Sequence, residues 1–374
     1  MKFLTLFLLL NISIFSISNA QIDIRNVTIA RDSFGVPHIF GKTDAEVTYG
    51  LAYAHSEDDF EHLQEMLIMA RDRMGEINGR QGAISDYFTA SIRAAEFVNK
   101  KYDSDLSPKF RELLESYAMG INSYAQKHPQ EIKLKNLFPV SGKDIVTGYY
   151  IFLTNAVGTG QALEAIIEGR ADEYVYNAYI GSNAFAFNKN STSDGNTYLV
   201  INPHVPLEGL LSFYEAHLQS EEGWDFYGAF FPLMVSPAMG CNNRYGWATT
   251  FNWPDYIDIF KLDLNPENKN EYRFDKKWIP LESKKIKLKV KTKLKTITIK
   301  RDLLWTVYGP TYRTEKGTYA IRHNNIGNIK AAEEWYMMSK AKNLTEFQQA
   351  LKQHNIPMFN IMYADKEGNI AHFA

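Results

Sequence analysis

Near residue 181 the pattern of apolar residues changes from helical to strand-like, and this switch limits the fold more than any other feature of the 374-residue chain. Before it, Phe110, Leu113, Leu114, Tyr117, Ile121 and Tyr124 fall on one face of a helix predicted to begin at Ser107 with Pro108 in its first turn. Thr43-Asp44-Ala45-Glu46 is a capping box, in which the threonine oxygen and the glutamate satisfy N–H groups orphaned at a helix start. A further helix is expected from Glu57 and Asp58, whose charges suit the positive end of the dipole, to Arg71 and Arg73 before Gly75. After the switch, residues 184–187, 197–201 and 245–250 are short apolar runs broken by turns. The polar, glycine-containing stretch 191–196 joins the first two as a hairpin. Over residues 286–294, apolar residues or threonine alternate with Lys287, Lys289, Lys291 and Lys293, which predicts a strand with one wet face. Without interleaved aromatics, that lysine row reads as a solvated strand edge and not as a nucleic-acid site. Asn343 with Glu346 caps one more helix before a strand around Asn360. The class is therefore α+β.

Apolar residues at 45% and charged residues at 22% describe an ordinary globular chain, long enough to bury a sizeable core. The formal charge of −2 supplies no global field toward nucleic acid. Lys2, an apolar run and the small-residue motif Ser18-Asn19-Ala20 read as an export signal, which places the protein in the periplasm or outside the cell. Asn11 and several serines interrupt a run already short for a membrane span, so no integral membrane segment is expected. The single cysteine, Cys241, excludes an internal disulfide and is expected to be a buried thiol.

Three groups of residues carry chemistry: Gly181-Ser182-Asn183-Ala184-Phe185, Asn202-Pro203-His204, and Met358-Phe359-Asn360 running on through Asp365. Taken alone, a glycine–serine pair is a turn, and a lone histidine or asparagine is a structural residue. In this order, and behind the opening Arg31-Asp32-Ser33-Phe34-Gly35-Val36-Pro37-His38-Ile39 with Thr43-Asp44-Ala45 and Tyr49-Gly50-Leu51-Ala52-Tyr53-Ala54-His55, they resemble the penicillin acylase family of N-terminal-nucleophile hydrolases. The likeness runs from about residue 24 to the last residue. It departs at Asp58-Asp59, where members usually carry an aspartate–arginine pair, and at Phe185, where many carry tryptophan.

The resemblance implies a four-layer αββα core, a mostly helical first part, and cleavage of a precursor before the serine into two chains that stay associated. The expected organisation is a signal peptide over 1–20, a helical region over 21–170, a spacer over 171–181 and the first part of the nucleophile domain over 182–374, a chain cut short at its C-terminus. Ser182 is then the nucleophile and Gly181 its cleavage partner, since a residue without a side chain admits the strained geometry of attack. The freed α-amine, titrating near about 8, is the base that a serine hydroxyl needs. The Phe251 N–H and the Asn360 amide form the implied oxyanion hole, and His204 sits beside the amine. A histidine at this position is the pattern of the acyl-homoserine-lactone and cephalosporin branches, whereas the penicillin G branch usually has glutamine.

Val205 and Trp253 are the candidate acyl-pocket residues, with Val205 smaller than the phenylalanine often found there. Asp255, Ile257 and Asp258, with Glu164, resemble a structural calcium site of some members, and catalysis itself needs no cofactor. The expected partner is a small acylated amide, and nucleic acid is not one. A catalytically silent extracytoplasmic binding protein on the same scaffold is the alternative from another class.

Overall fold

The computed structural model describes residues 22–174, 181–252 and 254–374. The residues expected to form an export signal, most of the expected spacer and Trp253 lie outside these residues. Two strands, β1 (Thr28–Arg31) and β2 (Pro37–Gly41), open the described chain. Between them Asp32 Oδ1 accepts the N–H groups of Phe34 and Val36 at 2.8 and 3.0 Å. Helix α1 (Asp44–Ala70) starts on the expected capping box, both halves of which are formed. The separate helix expected at Glu57 is the second half of α1. Asp59 leaves helical geometry at φ −150° and ψ 54°, and its carboxylate meets His62 Nδ1 at 2.7 Å, so a local break replaces a loop. Arg31 reaches the Asp58 and Glu57 carboxylates at 2.8 and 3.2 Å, which settles how the acidic pair is partnered.

Helices α2 (Gly75–Ser91), α3 (Ala94–Asp105), α4 (Pro108–Lys127), α5 (Gly142–Ala156) and α6 (Thr159–Ile167) follow. Ser107 caps α4 by accepting the Phe110 N–H at 3.1 Å, and all six residues of its expected apolar face are buried.

Next come β3 (Gly181–Phe187), β4 (Tyr198–His204), β5 (Tyr214–Ser220), β6 (Asp225–Phe230), β7 (Met239–Cys241), β8 (Tyr245–Phe251) and β9 (Ile257–Lys261). They are followed by β10 (Glu271–Phe274), β11 (Lys277–Pro280), β12 (Glu282–Lys291), β13 (Thr296–Thr306), β14 (Gly309–Thr314) and β15 (Gly317–His323). Helices α7 (Ala331–Lys340) and α8 (Leu344–Leu351) then precede β16 (Phe359–Asp365) and β17 (Ile370–Phe373).

The main sheet has the order β1-β2-β5-β6-β7-β8-β16-β17. Helices α1, α4, α5, α7 and α8 contribute to one large core with it, filled by Trp224, Phe226, Trp247, Trp335, Phe347 and Tyr363. Two of its buried polar tips reach backbone carbonyls: Trp247 Nε1 donates to that of Ala238 at 2.9 Å and Tyr245 Oη to that of Met338 at 2.6 Å. The motif from Phe230 to Met234 belongs to this core and not to a ligand pocket.

A second sheet, β12-β13-β14-β15-β9, packs against α2 and α6. The antiparallel hairpin β3–β4 lies against β8 and β16. The described residues thus supply a helical layer, a large sheet and a hairpin beginning a second β layer, three of the four expected layers.

The mostly helical stretch 21–170 also contributes to the main sheet, because β2 pairs in parallel with β5, His38 opposite His217, and so builds β1 and β2 into it. One expectation changes. Cys241 is exposed and not a core thiol, because it ends the three-residue β7 with its side chain in solvent.

Glu334 on α7 is 1% exposed and accepts the Asn355 N–H at 2.6 Å. Burial pushes its pKa from 4.5 up to about 7. The unfolded chain loses this proton first, so the group disfavours folding progressively as pH rises through that window. Glu334→Gln keeps the acceptor. It is expected to match wild type in urea unfolding near pH 4 and to exceed it at pH 8, by about 3 kcal/mol at most.

Candidate active site

Strand alternation gives the β3–β4 hairpin two different faces. Ala184, Ala186, Leu199 and Ile201 are half-buried on the side toward the main sheet, with Ser182 and Pro203 in the same alternation. Asn183, Phe185, Phe187, Tyr198, Val200, Asn202 and His204 are exposed on the other side. Gly246 on β8 is what allows so close an approach, since a Cβ there would stand 3.1 Å from Leu199 Cδ2 and 2.8 Å from the Gly240 carbonyl oxygen.

Ser182 opens into a pocket of about 270 Å³ shared with Asn183, Ala184, Phe185, Thr250, Asn360, Met362 and His372. Ser182 and Asn360, 178 positions apart in the chain, are brought to one cavity because β16 lies beside β8 and the hairpin packs on both. The Ser182 hydroxyl donates to the carbonyl oxygen of its own predecessor, Gly181, at 2.5 Å. It is therefore already against the peptide group that self-cleavage would break.

Asn360 pairs with Thr250 and Phe359 with Phe251 in the β8–β16 register. The Asn360 amide donates to the Thr250 hydroxyl at 3.3 Å and to the Phe251 carbonyl at 3.2 Å. Two of the expected oxyanion residues are therefore adjacent, with the asparagine amide held inside the protein in this state. To reach a substrate oxygen it must exchange one of these two hydrogen bonds.

His204 lies opposite Gly181 in the hairpin register, on the face away from the Ser182 side chain. A Cβ on Gly181 would be 3.8 Å from His204 Nδ1. The Asn202 amide meets His204 Nε2 at 3.0 Å and holds the ring. An imidazole so placed stands beside Gly181, on the hairpin face opposite the serine hydroxyl. Among the described residues lining the pocket, His372 is the one imidazole, and it stands exposed on the far strand β17.

Val205 packs on a small apolar cluster of Val157, Phe251 and Met358, beside the candidate oxyanion residues. The Tyr256 phenol at its edge has its pKa raised by burial. Asp255 and Asp258 line a different, larger pocket of about 520 Å³ together with Arg322 and Asn324. Arg322 faces Asp258 across the β9–β15 pair, and Glu164 is exposed on α6 outside that lining. Among the described residues no three His, Cys, Asp or Glu side chains converge to hold an ion. The residues expected for calcium do not form a cage as placed, and calcium enters no step below.

Sequence reasoning passed over Thr250, Met362 and His372. Met362 was accessible by alternation from Asn360, whereas Thr250 and His372 depend on the pairing of distant strands.

Residues 26–374 match a family model described as penicillin amidase. Among curated relatives, the chain is 26% identical to an acyl-homoserine lactone acylase PvdQ of Pseudomonas fluorescens (strain Pf0-1), over 91% of this chain and 49% of that protein. It is 24% identical to an aculeacin-A acylase of Actinoplanes utahensis, over 91% of this chain and 48% of that one. The chain thus spans about half the length of the curated relatives it matches. Among solved structures, a thermostable penicillin G acylase from Alcaligenes faecalis aligns with a TM-score of 0.42 at 23% identity, covering 52% of this chain and 34% of that one.

Proposed function

The chain belongs to the penicillin amidase family, and from that premise we propose that it is a self-processing amidohydrolase that cleaves N-acyl amides through an acyl-enzyme on Ser182. The observation that carries this reading is the shared pocket of Ser182 and Asn360, with the serine hydroxyl 2.5 Å from the Gly181 carbonyl oxygen.

In maturation, Ser182 Oγ attacks the Gly181 carbonyl carbon, the peptide C–N bond breaks and its nitrogen becomes the serine's α-amine. Water then hydrolyses the resulting ester. In turnover, that amine takes the hydroxyl proton, directly or through water, and Oγ attacks the substrate carbonyl. The negative charge on the carbonyl oxygen is met by the Phe251 N–H and the Asn360 amide. The leaving amine takes a proton, and water attack on the acyl-enzyme returns the serine and releases a carboxylic acid. His204, braced by Asn202, holds the α-amine in place. Val205, packed beside Phe251 and Met358, contributes to the wall around the acyl group. After the cut the two pieces would stay together, because β1 and β2 of the first are built into the sheet of the second.

The family relatives named acyl-homoserine lactone acylase and the histidine at 204 favour a long-chain acyl amide over a phenylacetyl one. Export to the periplasm or medium follows from the signal sequence. Assays on matched long-chain and phenylacetyl amides test the activity and the branch together. Equimolar acid and amine, with the long-chain substrate turned over faster, is the expected result. Release from neither substrate by processed protein would favour a silent binding protein.

A further inference from the structure

The hairpin β12–β13 is the longest in the described chain, with ten consecutive pairs from Glu282↔Trp305 to Lys291↔Thr296. Its turn is closed by the Thr292 N–H donating to the Lys295 carbonyl at 3.0 Å and by the Thr292 hydroxyl donating to the same oxygen at 2.6 Å. One face is committed to the protein: Leu288 and Val290 are buried and β12 packs on α2. The other face carries Lys285, Lys287, Lys289 and Lys291 on β12 and Lys300 on β13, with Asp302 as its carboxylate. Among the described residues, ion pairs within 4.0 Å engage Lys284 with Glu96 and Lys289 with Glu76, and none engages Lys285, Lys287, Lys291 or Lys300. Lys287 stands directly opposite Lys300, an arrangement that costs stability in isolation and is relieved by a facing anion.

At the tip, between Lys293 and Lys295, Leu294 is 97% exposed, and Ile297 just behind it is 37% exposed. An ordered turn that holds a leucine out in water amid cations meets two needs of one kind of partner. Lipid phosphates attract the lysines, and the headgroup–acyl boundary accepts the leucine while lysine stems extend along it.

We propose that the β12–β13 hairpin docks this protein peripherally on an anionic lipid bilayer, with Leu294 entering the interface and Lys287, Lys291, Lys293, Lys295 and Lys300 meeting lipid phosphates. The patch is local, since the whole chain carries a formal charge of only −2, and no described helix is long and apolar enough to cross a membrane. A bilayer fits better than a soluble polyanion or nucleic acid, for which Leu294 has no use and which would call for aromatics among the lysines.

Co-sedimentation of the whole protein with phosphatidylglycerol–phosphatidylcholine vesicles tests this. Binding is expected to the mixed vesicles, to be absent with phosphatidylcholine alone, and to vanish at about 0.5 M salt. Each lysine near the surface is worth about fivefold, so Lys287→Glu with Lys300→Glu should lower partitioning at least about 25-fold. Leu294→Asn should lower it about tenfold while keeping the salt dependence, because it removes only the inserted group. All three sites are exposed, and an unchanged melting temperature confirms that the variants fold. Failure of wild type to bind mixed vesicles, or binding by both variants as tightly as wild type, overturns the proposal. Capture on heparin or polyphosphate without vesicle binding overturns the bilayer as the partner.

Discussion

Ser182→Ala is expected to yield a folded, uncut chain whose amide hydrolysis falls by at least about 10⁴-fold, the scale on which loss of a serine nucleophile is felt elsewhere. Two consequences come from one atom. Without Oγ nothing adjacent can attack the Gly181 carbonyl, and without cleavage no α-amine forms. Folding should survive, because Ser182 is half-buried and its hydroxyl donates to the neighbouring Gly181 carbonyl and not into the core. Mass analysis together with a turnover assay reads both effects. An alanine variant that is cut normally, or that retains turnover, would place the chemistry on another residue.

The second large effect is at Asn360. Asn360→Ala is expected to lower kcat by about 10²–10³-fold, roughly 3 kcal/mol, as loss of one oxyanion donor does. KM should move little, because the missing hydrogen bond forms mainly as charge develops on the carbonyl oxygen. Stability should fall by only about 1 kcal/mol from loss of the contacts to Thr250 and Phe251. Turnover must be normalised to the cleaved fraction, since a slow maturation step would also depress activity. Near wild-type kcat per cleaved molecule would remove Asn360 from the oxyanion hole.

Local signals carried the sequence reading where the physics is local. The Thr43 capping box, the apolar face of α4 and the Asn343 cap each depend on residues within a few positions of one another, and the β3–β4 hairpin joins two strands consecutive in the chain. The break at Asp59 was half legible, since acidic residues marked a helix start but nothing marked the preceding turn as continuous with it. The parallel pairing of β2 with β5 left no trace in the sequence, because its partners are 179 positions apart at His38 and His217. For the same reason Ser182 and Asn360 were named one at a time by family likeness, and their common pocket required the β8–β16 register. Cys241 was misread because residue type says little about burial at the last position of a three-residue strand. The separation of Ser182 and His204 onto opposite hairpin faces was implicit in the alternation. It became interpretable once the main sheet fixed which face was inward.

Intact-mass analysis of the complete protein, purified after export, reaches the central claim most directly. Two associated chains, the second beginning at Ser182, are the expected result. A single covalently continuous chain that still hydrolyses an N-acyl amide would contradict it.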